Sequence, residues 1–115
     1  MVSKEYRLSG KKNFERVFQE GKIIQAETFG LAYLNRGDNE VTRFGFIVST
    51  KISKLAVQRN RVKRALSEAV RFLTNKLEKG YNVIFLAKGK SMKVSTDELM
   101  REVGVTLKKA GLLTQ

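Results

Sequence analysis

The groups in this chain best able to do chemistry are cationic. Between Lys51 and Arg64 stand Lys51, Lys54, Arg59, Arg61, Lys63 and Arg64, with no acidic residue among them. Guanidinium groups present forked donors that match phosphate, and Asn60, set between two arginines, can both donate and accept within the same patch. A solvated helix face usually mixes Glu with Lys or Arg at i, i+4, whereas here Glu68 and Glu78 follow only after the cluster. Clustering near a helix start also sets free backbone amides beside the guanidinium groups, an arrangement suited to phosphate. Exposed Lys and Arg are common on any surface, so this pattern alone leaves an ordinary solvated face open.

Groups for bond-making chemistry are scarce. The chain has no His and no Cys, which excludes a disulfide framework, a thiolate zinc site and the commonest general base. A protein-centred nuclease would need convergent carboxylates or an acid–base pair. Asp38 and Glu40 fall in a turn, and Asp97 with Glu98 suits a helix start. Gly89-Lys90-Ser91 lacks the upstream glycine spacing of a phosphate-binding loop. No catalytic residue and no metal ligand is therefore assigned to this chain.

The whole-chain balance points the same way. Twenty-three Lys and Arg against 11 Asp and Glu give a net charge of +12 on 115 residues, which favours a polyanionic partner. A membrane surface is the poorer fit. No apolar run approaches the roughly 20 residues of a spanning helix, and the first ten residues lack the apolar core of a signal peptide. A cytoplasmic protein is the expectation. Hydrophobic residues make up 42% of the chain, enough for a packed core rather than a basic tail, and the length suits one domain over residues 1–115.

The elements that must position the basic cluster follow from periodicity. Phe14, Val17 and Phe18 at i, i+3, i+4 predict a helix over Asn13 to Glu20, stopped by Gly21. Lys22 to Asn35 reads as strand, with a short piece at Ile23 and Ile24 before the alternation of Phe29, Leu31 and Tyr33. After a turn at residues 35–40, a second strand is predicted from Val41 to about Thr50, and the two are expected to pair antiparallel. The longest helix is predicted from Ser53, as N-cap, to about Lys79, its apolar side formed by Leu55, Val62, Leu66, Ala69 and Leu73. Tyr81 to Ala87 is a nearly continuous apolar run, as in a strand covered on both faces, and the intervening helix makes a β-α-β unit. Ser95 with Glu98 opens a last helix whose stripe is Leu99, Val103, Leu107 and Ala110. The fold class is α+β, helices packed on a small mixed sheet.

Residues 43–51 (Arg-Phe-Gly-Phe-Ile-Val-Ser-Thr-Lys) followed by residues 56–64 (Ala-Val-Gln-Arg-Asn-Arg-Val-Lys-Arg) resemble the signature of the bacterial ribonuclease P protein family. Arg59-Asn60-Arg61 is similar to that family's RNR motif, and Arg7-Leu8, Phe14, Val17-Phe18 and Gly21 resemble its N-terminal pattern. The resemblance covers most of Tyr6 to Ala87. It implies a four-stranded mixed sheet with three helices, resembling a domain of ribosomal protein S5, with an unusual left-handed β-α-β crossover.

The resemblance also implies partners: a catalytic ribonuclease P RNA and precursor tRNA, with no membrane and no DNA. Cleavage would use Mg²⁺ held by the RNA, none being bound tightly by the protein. Carried over by position, Arg59, Asn60, Arg61 and Arg64 would contact the RNA subunit. Phe14, Phe18, Lys51, Asn60, Lys63 and Arg64 would line or border a cleft for the single-stranded 5′ leader. By pattern alone Phe14 and Phe18 are ordinary core residues; the resemblance makes them a half-buried cleft wall on which unpaired bases of any sequence can stack. Thr50, Ser67 and Ala32 depart from the family pattern, where a Lys, an Arg and an aromatic residue are usual. Tyr33 should point to the opposite face from Ala32 and does not replace that aromatic. Three rivals remain open on the residues alone: a ribosomal protein or RNA chaperone, a DNA-binding regulator, and an autonomous ribonuclease.

Overall fold

The computed structural model describes residues 2–114. Its sheet runs in the order β1 (Lys22–Gln25), β2 (Phe29–Asn35), β4 (Tyr81–Ala87), β3 (Arg43–Ile47). Three helices accompany it, α1 (Lys11–Glu20), α2 (Ala56–Phe72) and α3 (Thr96–Lys109), so the mixed α+β architecture read from sequence is the one observed.

One pairing is different. The strands on either side of the 35–40 turn do not pair: β4 lies between them, antiparallel to β2 and parallel to β3. β4 is the most apolar strand, with Val83, Ile84 and Phe85 fully buried, and an interior position alone gives it hydrogen-bonded neighbours on both edges and cover on both faces. The antiparallel partner of β2 on its other edge is β1, joined through a turn in which the Ala26 N–H donates to the Phe29 carbonyl. The 35–40 segment is thus a loop passing the start of β4. Arg36 clamps it, its side chain only 11% exposed and donating to the carbonyls of Tyr81 and Val41 and to Asn82 Oδ1.

The sheet's alternation sorts its side chains into two layers. Phe29, Leu31, Phe44, Val83 and Phe85 face α2 and α3, and with Val62, Leu66, Leu99, Val103 and Leu107 form the main core. Phe85 anchors the aromatic part, with Phe46 stacked at 5.5 Å and Phe29 edge-on at 5.2 Å. Ala32 and Ile84 face the other way, under Val17 of α1 and beside Leu8. Tyr33 and Ala32 lie in opposite layers, as the strand period requires.

Helix α2 is shorter than the sequence predicts at both ends. Ser53 does not cap it; the Ser53 hydroxyl accepts from Leu55 N–H in a local turn, and Leu55 is the N-cap, its side chain exposed. The C-terminus comes at Phe72, where the Thr74 hydroxyl donates to the Arg71 carbonyl at 2.7 Å and a 3-10 turn follows. Competition from a hydroxyl for helix carbonyls is a stop signal weaker than glycine, which is why the first Gly after the helix, Gly80, misplaces the end. Helix α3 begins as predicted, Ser95 accepting from Glu98 N–H at 3.1 Å.

Candidate nucleic-acid interface

The basic cluster occupies the first half of α2 and the turn before it. Among the described residues none of Lys51, Lys54, Arg59, Arg61, Lys63 and Arg64 forms an ion pair; the salt bridges lie elsewhere, for instance Arg71 with Glu68 and Lys90 with Glu27. Lys51, Lys54, Asn60 and Arg64 are exposed, and Lys63 is half-buried.

The two arginines of the RNR motif hold the protein together locally as well as carrying charge. Arg59 Nη1 donates to the Ser53 carbonyl at 2.8 Å, fixing the approach to α2. Arg61 reaches across to α3, donating at 3.3 Å to the carbonyls of Ser91 and Val94 and to Thr96 Oγ1. A guanidinium has five N–H donors, so each retains donors for phosphate.

Helix α2 separates two concave surfaces. The first, a cleft of about 240 Å³ at the β3 edge, is walled by Phe14 of α1, Phe44 and Phe46 of β3, Lys63 and Ser67 of α2, and Arg7 of the N-terminal segment. That segment follows the edge strand: Arg7 bridges to Phe44, and the Leu8 N–H donates to the Phe44 carbonyl at 2.8 Å. Phe14 sits directly on Gly45, where a β-carbon would lie 2.5 Å from the ring. Only a residue without a side chain admits the ring this close to the strand.

The second surface is a groove of about 530 Å³ between α2 and α3, lined by Asn60, Arg61 and Arg64 together with Val57, Phe72 and Met100. The residues assigned to the leader cleft from sequence are therefore divided. Phe14 and Lys63 meet in the first cleft, while Asn60 and Arg64 line the second groove. Phe18, one turn beyond Phe14, is 40% exposed, and neither Phe18 nor Lys51 lines the first cleft.

Sequence reasoning gave no site role to Arg7, Phe46, Phe72 or Met100. The alternation of β3 placed Phe46 on a sheet face, but nothing in the pattern showed the N-terminal segment pairing with that strand. The departures from the family pattern have clear settings. Thr50 is in an exposed turn, Ala32 is fully buried under α1, and Ser67 is buried with its hydroxyl donating to the Arg64 carbonyl.

The acids near these surfaces have structural duties. The Arg71 guanidinium beside Glu68 holds its carboxyl below the usual range, and Arg36 does the same to Asp38. Both favour the ionised carboxylate over a proton donor. Asp97 and Glu98 occupy the first turn of α3, where the helix dipole favours negative charge.

A small α+β scaffold carrying cations without counter-charge, beside an aromatic cleft, defines a protein built to bind nucleic acid. The family model for ribonuclease P matches residues 2–111. A ribonuclease P protein component from Caldanaerobacter subterraneus is 38% identical over 112 residues, covering 97% of this chain and 95% of its own. One from Symbiobacterium thermophilum is 33% identical, covering 97% and 96%. Among solved structures, the RNase P protein of Staphylococcus aureus shares the fold at a TM-score of 0.88 and 24% identity, covering 96% of this chain and 100% of that one. The Thermotoga maritima RNase P protein matches at 0.80 and 26%, covering 90% and 96%. The chain belongs to the ribonuclease P protein family, whose role is RNA binding and the processing of precursor tRNA.

Proposed function

We propose that the chain acts in the bacterial cytoplasm as the protein subunit of a ribonucleoprotein whose RNA performs the cleavage. The basic face of α2, with Arg64 and Asn60 exposed and Arg59 and Arg61 half-buried, docks on the ribonuclease P RNA. The cleft at the β3 edge holds the 5′ leader of precursor tRNA. The reaction is hydrolysis of one phosphodiester to leave a 5′-phosphate on the mature tRNA, with Mg²⁺ held by the RNA.

The observation that carries this reading is the meeting of Phe14, Phe46, Lys63 and Arg7 in one cleft. Half-buried rings offer stacking faces that accept any base, and the two cations match a backbone that passes between them, as substrates with many different leader sequences require. The expected signature is leader-dependent. In holoenzyme assembled on a bacterial ribonuclease P RNA, Lys63→Ala weakens binding of leader-bearing precursor more than of mature tRNA, and the deficit shrinks as the leader is shortened. Equal loss for both substrates would remove the leader from this cleft.

A further inference from the structure

The α2–α3 groove carries more apolar surface than a docking face for phosphates needs. Val57 is 80% exposed and Phe72 67% exposed, both on the helix that bears the densest positive charge. They line the groove with Met100, while Asn60, Arg61 and Arg64 supply its polar groups. Phe72 is also held in place: Arg71 lies over its ring at 5.0 Å, and Arg71 is fixed by two hydrogen bonds to Glu68 Oε2 at 3.0 and 2.7 Å. A cation–π contact at an exposed site biases the ring toward one position before binding. Arg61, bonded to the loop before α3 and to its first residue, ties the second wall to the first.

An aromatic and a thioether beside guanidinium groups match the parts of an unpaired nucleotide: a flat apolar base and a phosphate. We propose that this groove seats an unpaired nucleotide of the RNA subunit, with its base against Phe72 and Met100 and its phosphate at Arg64, while Asn60, about 18 Å along α2 from Phe72, meets a polar group of the neighbouring nucleotide. RNA is the occupant that the charge favours, since Arg61 and Arg64 line the same groove and Glu68 is neutralised by Arg71. The proposal rests on the assignment of α2 to the RNA subunit. It adds that recognition there includes a base, so that the contact distinguishes an unpaired nucleotide from a uniform duplex.

Salt dependence separates the two kinds of contact. A lost phosphate contact reduces the slope of log affinity against log salt by about one, whereas a lost stacking contact lowers affinity at every salt concentration and leaves the slope unchanged. The experiment titrates a transcribed bacterial ribonuclease P RNA with wild type, Phe72→Ala, Phe72→Tyr and Arg64→Ala over a salt series, with thermal unfolding and sedimentation of each free protein. Phe72→Ala is expected to weaken binding about 5- to 100-fold at constant slope. Phe72→Tyr keeps the stacking face and restores affinity, and Arg64→Ala lowers both affinity and slope. Unchanged affinity in folded Phe72→Ala, with Arg64→Ala still impaired, would overturn the base pocket and leave the RNA-binding assignment standing. Unchanged affinity in both variants would overturn both. A dimer of the wild type that dissociates on Phe72→Ala, with RNA affinity intact, would give the groove to a second copy of the chain and overturn the proposal.

Discussion

Replacing Gly45 by Ala should move a wall of the cleft at the β3 edge without touching any charged group. The added β-carbon would stand 2.5 Å from Phe14 Cζ and 2.7 Å from Cε2. Carbon atoms pack best at about 3.5 to 4.0 Å, so the ring must withdraw by about 1 Å. The strand is poorly placed to yield, because Gly45 pairs with Ile84 in the parallel ladder and Phe44 and Phe46 on either side pack around Phe85. Helix α1 is pinned by Val17, which is fully buried over Ala32 and Ile84. Relief must therefore come from the Phe14 side chain. Overpacking of this kind costs about 1 to 3 kcal/mol, equivalent to a fall in melting temperature of roughly 4 to 15 °C in a chain of this size.

Two assays read the consequence: thermal unfolding of the free protein, and holoenzyme affinity for precursor with and without its leader. Gly45→Ala should lose stability and leader-dependent affinity together. Adding Phe14→Leu should restore stability by making room, yet leave leader affinity low because the ring is gone. Wild-type stability and leader affinity in the single variant, or no recovery of stability in the double, would refute the contact and the place of Phe14 in the wall.

Phe18→Ala should cost little stability, about 1 to 2 kcal/mol, because 40% of the residue is already exposed. If its ring also meets the leader, affinity for precursor falls while that for mature tRNA holds; equal loss on both would make Phe18 a packing residue only. Arg61→Ala and Arg64→Ala should each reduce the salt slope of RNA-subunit binding by about one, but only Arg61→Ala should lower the melting temperature, through its bonds to Ser91, Val94 and Thr96. Equal melting temperatures would contradict the strut. Arg36→Ala should destabilise by about 3 kcal/mol, since it leaves the carbonyls of Tyr81 and Val41 and Asn82 Oδ1 short of a donor. Chemical denaturation checks this, and a change below 1 kcal/mol would show that solvent replaces the clamp.

What could be read from sequence was whatever a single element encodes. The nearly unbroken apolar run from Tyr81 to Ala87 and the Ser95–Glu98 cap marked β4 and the start of α3 correctly, because burial on both faces and capping are local demands. The β-α-β unit was legible for the same reason. Strand order was not: adjacency of β2 and β3 in sequence suggested a pair, and only competition for the interior position decided for β4. The site divided along the same line. The charge on α2 is visible in the chain, but which side of the helix each residue faces depends on two partners, α1 with β3 on one side and α3 on the other. Arg7 became a cleft residue through pairing of the N-terminal segment with β3, an event with no local signal.

Reconstitution separates the role of the protein from that of the RNA. Labelled precursor tRNA is incubated in Mg²⁺ with the protein alone, with a bacterial ribonuclease P RNA, and with both. The assembled pair is expected to release the leader and leave a 5′-phosphate on mature tRNA, while the protein alone leaves the precursor intact. Cleavage at that bond by the protein in the absence of the RNA would contradict the division of labour between a catalytic RNA and a protein that binds.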